Sequence, residues 1–511
     1  MRNKLLFIVL LGVIFSMTAG LVCVTAQDEK SEVVIAQISD PTDLDPQTAG
    51  GTTGGNFVWN IFDGLTIISS DMSEVYPSLA TEWEMVDDVT WQFKLREDVV
   101  FQNGEKFNAE AIKYTVDRFT RPGTPQEAYK FKSLKAAEVV DEYTVNIITN
   151  APDPLLPFRA MEIVALPPVY TEEAGDNFGT LPIGTGAYKV VENTPNQRIV
   201  LEANENYWGG KPDVDRLVFI PVPEVSTRLA ELITGNADII LNLSPEDFAT
   251  IEGNAGLRVE TTAGKRVIFV GIDLLPDGPE YLKDVRVRQA LNYAIDKEAI
   301  IEYLLNGYAD QLATLYRTDF AGYDPSIEPY PYDPEKALAL LAEAGIDPSD
   351  ITLKIAASEE VVIKGGEIGE AIASMLQDIG INATADVLAN QQIRDMLIGG
   401  QEAHVNDELW VWNWGVREPD ADSILSGVMH NSGLTSYVRD DKLSEMIDLA
   451  RAEMDSEKRA EIHKEIQAYL YEECPAIFLF LAHDIYGVNN RVNWTPRRDQ
   501  YIIGKEISLN K

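Results

Sequence analysis

Three tryptophans spaced two apart, Trp410, Trp412 and Trp414, are the residues best suited by type to hold a ligand. They lie in Glu408–Asp420, which reads ELWVWNWGVREPD. As a β-strand this stretch projects the three indoles from one face and Leu409, Val411 and Asn413 from the other. The strand then runs into a loop carrying Arg417, Glu418, Pro419 and Asp420. An aromatic platform beside a short charged loop suits a solute that is part apolar and part polar. The competing reading is a core strand with large side chains, and Arg417 paired with Glu418 or Asp420 as a solvated loop charge. A second candidate is the Gly/Thr stretch Gly50–Gly55, with Thr52, Thr53 and the adjacent Asn56. It reads as a close backbone turn. It is not a phosphate cradle, because no Gly-Lys-Ser/Thr follows.

Catalytic chemistry has little to stand on. The four histidines, His404, His430, His463 and His483, are well apart in sequence, and neither a Gly-x-Ser-x-Gly nor a His-Glu-x-x-His occurs. An exported hydrolase is the rival class, and it lacks a nucleophile with a base or a metal cluster. The chain is therefore read as a binding protein and not an enzyme, with no catalytic residue, cofactor or resident metal. Cys474, set in Glu-Cys-Pro, reads as a small buried residue.

The elements that must position these residues come next. Arg2 and Lys4 precede the apolar run Leu5–Phe15, and Val24-Thr25-Ala26 offers small residues for cleavage, so residues 1–26 are predicted to be a signal peptide. Cys23 raises a lipid-anchor alternative, opposed by the bulky Val22 before it. The 511-residue chain carries a formal charge of −40, spread along its length. Such an acidic body repels nucleic acid and anionic membranes, and neither is expected as a partner. Strands are expected at 32–38, 91–95, 199–203, 217–222 and 238–241, with Pro-rich loops over 121–182. From 265 the pattern turns to regular α/β. Helices are expected at 285–294, 297–306 and 333–345, then a β-α-β-α-β run: strand 351–356, helix 366–379, strand 382–388, helix 391–398 and strand 408–414. That alternation marks a mainly parallel sheet, whose carboxyl ends are where open α/β sheets bind ligands. Two helices, 442–453 and 456–471, and a strand at 476–481 follow.

Several segments resemble the family 5 extracellular solute-binding proteins that feed ABC importers of the dipeptide, oligopeptide and nickel type. They are Tyr76-Pro77-Ser78-Leu79-Ala80-Thr81-Glu82-Trp83, Phe101-Gln102-Asn103-Gly104, Pro182-Ile183-Gly184-Thr185-Gly186-Ala187-Tyr188-Lys189, Asn206-Tyr207-Trp208-Gly209-Gly210-Lys211-Pro212, Val285-Arg286-Val287-Arg288-Gln289-Ala290-Leu291 and Tyr332-Asp333-Pro334-Glu335-Lys336-Ala337. The resemblance implies an α/β, two-lobed periplasmic-binding-protein fold of type II with an extra subdomain in lobe I. Lobe I would comprise 31–65, 183–264 and 484–511, the subdomain 66–182 and lobe II 265–483, with a hinge near 264–270 and 481–486. It implies a monomer that closes on a small solute, most often a peptide, and delivers it to a membrane permease. Trp410, Trp412, Trp414 and Arg417 are the candidates from lobe II, and Thr52, Thr53 and Asn56 those from lobe I. Oligosaccharide and nickel are the alternative ligands, the latter through His404 or His430. One departure bears on function. Peptide-binding members carry an Asp just ahead of the loop's acidic-Pro pair to hold the peptide's α-ammonium, and here Arg417 precedes Glu418-Pro419 instead.

Overall fold

The computed structural model describes residues 31–41, 43–122, 132–359, 361–399 and 408–510. The expected signal peptide, Cys23 and His404 lie outside the described residues.

Eleven strands share one large sheet. Its order is Asn382–Val387, Thr352–Ala357, Leu409–Gly415, Leu257–Ile272, Ala476–Asn489, Ile239–Leu241, Glu32–Gln37, Arg216–Pro221, Arg198–Ala203 and Tyr188–Thr194, and Ala309–Gln311 pairs beside this path with Ala476–Asn489. Thr352–Ala357 runs parallel to Asn382–Val387 and to the Trp strand Leu409–Gly415. The helices Gly365–Asp378 and Asn390–Gly399 supply the crossovers. The β-α-β-α-β run thus forms the parallel corner that its periodicity predicts. On its other side the Trp strand pairs antiparallel with Leu257–Ile272, so the sheet is mixed.

Two strands tie the ends of this sheet together. Leu257–Ile272 pairs with Ala476–Asn489 from Leu257↔Asn489 to Gly271↔Ala476. The ladder breaks between Ala263↔His483 and Val267↔Leu481, leaving Gly264, Lys265 and Arg266 opposite Ala482. A bulge of this kind twists a strand locally and re-aims its side chains. The apolar cores divide at the same level. One gathers residues from Val33 to Leu241 with Tyr486–Ile507. Two others, from Val267 to Leu481, lie on opposite faces of the sheet.

The structure departs from the sequence reading in three places. The 121–182 stretch was expected to be loops, yet Leu134–Asp141 and Thr144–Thr149 are paired strands. They complete a four-stranded antiparallel sheet with Ala80–Asp87 and Thr90–Leu95. Val145 and Ile147 alternate inward along the second of them, a period too short to stand out beside the prolines. The strand expected at 476–481 runs on to Asn489. Finally, the predicted turn at Gly50–Gly55 is the first half of the helix Gly51–Ile61. Its glycines serve packing: a Cβ on Gly55 would strike the Tyr501 ring. Among the described residues no helix is long and apolar enough to cross a membrane.

Candidate ligand-binding cleft

Alternation along the Trp strand decides which indoles are available. Leu409 and Val411 enter one core, and Trp410 and Trp412 the core on the opposite face, against which Trp414 also packs. All three indoles therefore share a face, as the period of two requires. They do not share an environment. Trp410 is 3% exposed and packs on Tyr437, ring centroids 4.6 Å apart. Trp412 is 9% exposed. Trp414, last in the row, is half-buried and donates from Nε1 to the Ser423 hydroxyl at 3.0 Å. Gly427 lies directly against its ring, where a Cβ would clash.

Trp412 and Trp414 line a cleft of about 720 Å³, within the usual range for small-molecule sites. Trp410 is not among its lining residues and belongs to the core. The facing wall comes from the 66–182 stretch, including Phe158, Arg159, Met161 and Glu162. The 50–57 stretch, expected from the sequence to face the Trp strand, does not line this cleft. Asn56 is fully buried, accepting from the Ile502 backbone N–H at 2.9 Å and donating to Gln37 Oε1 at 3.2 Å. Thr52 stands behind the cleft, donating to Gln500 Oε1 at 2.9 Å and accepting from Arg266 at 3.3 Å. Thr53 is half-buried on the same helix and, like the other two, does not line the cleft.

Charged groups cross between the walls. Arg417 pairs with Glu162 and donates to the Tyr501 hydroxyl at 3.0 Å, so it is a bridge and not a solvated loop charge. Arg159 reaches the other way. It contacts Asp153 at 2.9 Å on its own side, and Asp422 at 2.5 Å and Glu418 at 3.3 Å across the cleft. Burial works against its charge, yet Asp153, Asp422 and Glu418 outweigh that and raise the guanidinium pKa well above its ordinary value. Arg451 meets Asp422 at 3.1 Å from behind. Neither Arg159 nor Glu162 has a sequence signature: Arg-Ala-Met-Glu follows a proline-rich run with no periodic pattern.

The loop after the Trp strand is held rigidly. Asp420, 2% exposed, receives Arg459 Nε at 2.7 Å and Nη2 at 3.0 Å, and lies 3.2 Å from His463 Nε2. Burial pushes its carboxyl pKa up, but hydrogen bonds from His463 and Arg459 prevail and hold it below the usual carboxylate range. The Tyr316 hydroxyl closes the network on His463 Nδ1 at 2.7 Å. Asp420 is thus a buried anchor, not the surface charge its loop position suggests. His430 is not a lining residue, and it contacts Asp448 and Ser432. Among the described residues no group of three His, Cys, Asp or Glu is placed to hold a metal.

Comparison with known proteins places this architecture. Residues 74–436 match the model of the bacterial extracellular solute-binding proteins, family 5. A glutathione-binding protein of Salmonella typhi is 30% identical over 409 residues, 77% of each chain. A heme-binding protein A of Haemophilus influenzae is 32% identical over 324 residues, 58% of each chain. The structure of the periplasmic binding protein DppA of Helicobacter pylori, in complex with the peptide STSA, superposes with a TM-score of 0.80 at 22% identity, covering 94% of this chain and 99% of that one. The shared fold is the two-lobed, type II periplasmic-binding-protein architecture with its extra subdomain.

Proposed function

The chain belongs to the bacterial extracellular solute-binding proteins of family 5, the substrate-binding components of ABC importers, and from that premise we propose that it captures a peptide-like solute between Trp412–Trp414 and the Phe158–Glu162 wall. One observation carries this reading: two indoles and opposed, ion-paired charges from both walls surround a cleft of small-molecule size. Apolar area on the indoles takes side chains, and the charges take the ends of a zwitterion. Glu418, tied to Arg159 by a single 3.3 Å contact, is the group we assign to the solute's ammonium in place of the missing loop Asp. The peptide and glutathione ligands of the relatives named above point the same way.

In this reading the lobes are 31–65 with 183–264 and 484–511, and 265–483, with 66–182 as the subdomain that supplies the facing wall. The separate cores and the bulge at 264–266 support that division. Ligand bound to one lobe favours the closed form, which a membrane permease then receives. Residues 1–26 act as a signal peptide, placing the protein outside the cytoplasmic membrane, as in the family. Nothing in the cleft calls for turnover of the solute, and we assign capture alone.

Thermal-shift screening of the mature chain tests this, using di- to pentapeptides, glutathione, cello- and xylo-oligosaccharides, and nickel with histidine. A ligand at 100 times its Kd stabilises by about 2.7 kcal/mol. Stabilisation by peptides, lost in Trp414→Ala, is the expected result. A melt that moves only with sugars, or only with nickel, would overturn the peptide reading.

A further inference from the structure

The lining of the cleft does not share the acidity of the chain. The chain as a whole is strongly acidic, at −40. Of the described residues lining the cleft, six are Lys or Arg and four are Asp or Glu. Three of the cations have carboxylate partners: Arg159, Arg417 and Arg451. Arg266 differs. Its Nε donates to Gln500 Oε1 at 3.2 Å, its Nη1 to Asn413 Oδ1 at 3.0 Å and its Nη2 to Thr52 Oγ1 at 3.3 Å. All three acceptors are neutral, and no carboxylate of the described residues pairs with it.

A guanidinium has five N–H donors, one on Nε and two on each terminal nitrogen. Three are spent on these neighbours, which leaves one on Nη1 and one on Nη2. A pair of N–H groups on adjacent nitrogens is what a carboxylate takes in a two-pronged contact. The three neutral acceptors fix the plane of the fork and leave its end free to take a carboxylate. Arg266 stands last in the break of one ladder and in register with the Trp strand in the other, opposite Gly415, which sets its side chain beside Asn413. Its acceptors also come from three separate stretches: the helix Gly51–Ile61, the Trp strand and the C-terminal segment. Asp484 lies close by; burial chiefly raises its carboxyl pKa to about 6, with Gln500 and Arg266 opposing, so at neutral pH it is still largely ionised. It accepts from Gln500 Nε2 and takes no N–H of the guanidinium. Lys265 is depressed to about 7, first by burial and then by Arg417 and Arg266.

We propose that Arg266 is the carboxylate-recognising residue of the cleft, and that the solute presents a free carboxylate to it. The assignment rests on the reading of the cleft as the solute site. Lys132 and Arg394 are exposed, and the other four cations of the lining match its four carboxylates in number, so a solute carboxylate on Arg266 and an ammonium on Glu418 complete the site as the lobes close and water leaves.

Calorimetric titration of the mature chain tests this with paired probes: Ala-Ala-Glu against Ala-Ala-Gln and its C-terminal amide, and glutathione against its diethyl ester. Wild-type protein should lose at least tenfold in affinity once the last carboxylate is removed. Arg266→Gln should lose tenfold or more for the acids while changing the amide and ester less than threefold, and Arg266→Lys should fall between. Circular dichroism of both variants verifies that they fold. Equal affinity for acid and amide, or an equal loss for every probe in Arg266→Gln, overturns the assignment. If binding then still requires Trp414, the solute-binding reading stands without it. Failure of every solute to bind, here and in the wider screen, overturns both.

Discussion

Replacing Arg159 by Gln removes the one guanidinium that holds carboxylates from both walls of the cleft. Two of its contacts cross, to Asp422 at 2.5 Å and Glu418 at 3.3 Å, and one, to Asp153 at 2.9 Å, does not. At an effective dielectric of about 20, unit charges about 3 Å apart attract by roughly 5 kcal/mol. Desolvation offsets most of that, and truncating one member of a buried, hydrogen-bonded charge pair costs about 2–5 kcal/mol. If about 3 kcal/mol of the loss falls on the crossing contacts, the closed form loses roughly a hundredfold relative to the open one, which bounds the drop in apparent affinity. Small-angle scattering with and without solute reads the closure, and calorimetry reads the affinity. The variant should scatter with a larger radius of gyration at a solute concentration that closes the wild type. An acid titration supplies the control. Arg159→Gln leaves Asp153 and Glu418 without a cation and Asp422 with Arg451 alone, so the part of its stability deficit that runs through Asp422 narrows as acid below about pH 4 protonates that carboxylate. In the wild type burial raises the Asp422 pKa, but Arg159 and Arg451 lower it further still. That carboxylate contributes stability above its unfolded pKa and loses it as the pH falls through the folded value. Unchanged radius, affinity within threefold and no narrowing with acid would refute the view that Arg159 latches the cleft.

Four further expectations follow from the same geometry. Trp410→Ala should cost about 3–5 kcal/mol of stability in denaturant titrations while the folded fraction keeps its affinity, because that indole is core. Trp414→Ala should do the reverse, lowering affinity by tenfold or more with a smaller loss of stability. Arg459→Met strands the buried Asp420 carboxylate and should cost about 3–5 kcal/mol in the same titrations, with weaker binding because the 415–420 loop loses its anchor. Asp484→Asn should stabilise the protein by about 1–3 kcal/mol at pH 7.5 and by almost nothing at pH 4. The Asp484 pKa is raised, so its neutral form favours folding at low pH and that contribution disappears as the pH rises through about 6. Chemical denaturation at the two pH values measures the difference.

Much of the fold could be read from patterns with a period. The parallel corner announced itself through alternating strands and helices, and the Asp-Pro start and Gly345 stop of the helix Pro334–Ala344 are chemical signals that the structure reproduces. The order of family segments carried the architecture beyond what periodicity reached. What could not be read depended on contacts distant in sequence. Gly50–Gly55 has the composition of a turn yet opens a helix, and Gly55 is there to leave room for Tyr501, more than 400 residues later. Asp420 stands among loop residues and is buried because Arg459 and His463 reach it from a helix. The cleft divides in the same way. Trp412, Trp414 and Arg417 line it, and spacing pointed to them. Arg159, Glu162 and Arg266 also line it, and no local pattern marks them.

The place of Ala476–Asn489 in the sheet has a consequence for how the chain is made. This is the last long strand to emerge during synthesis, and it lies in the interior of the sheet, between Leu257–Ile272 and Ile239–Leu241. Until it arrives, Leu257–Ile272, Ile239–Leu241 and Ala309–Gln311 present open hydrogen-bonding edges and no ladder joins the two ends of the sheet. The nascent polypeptide therefore cannot lock its architecture from the amino terminus forward. A product that stops before residue 476 retains some 475 residues yet lacks its keystone, and such fragments are expected to be aggregation-prone intermediates and not smaller folded units.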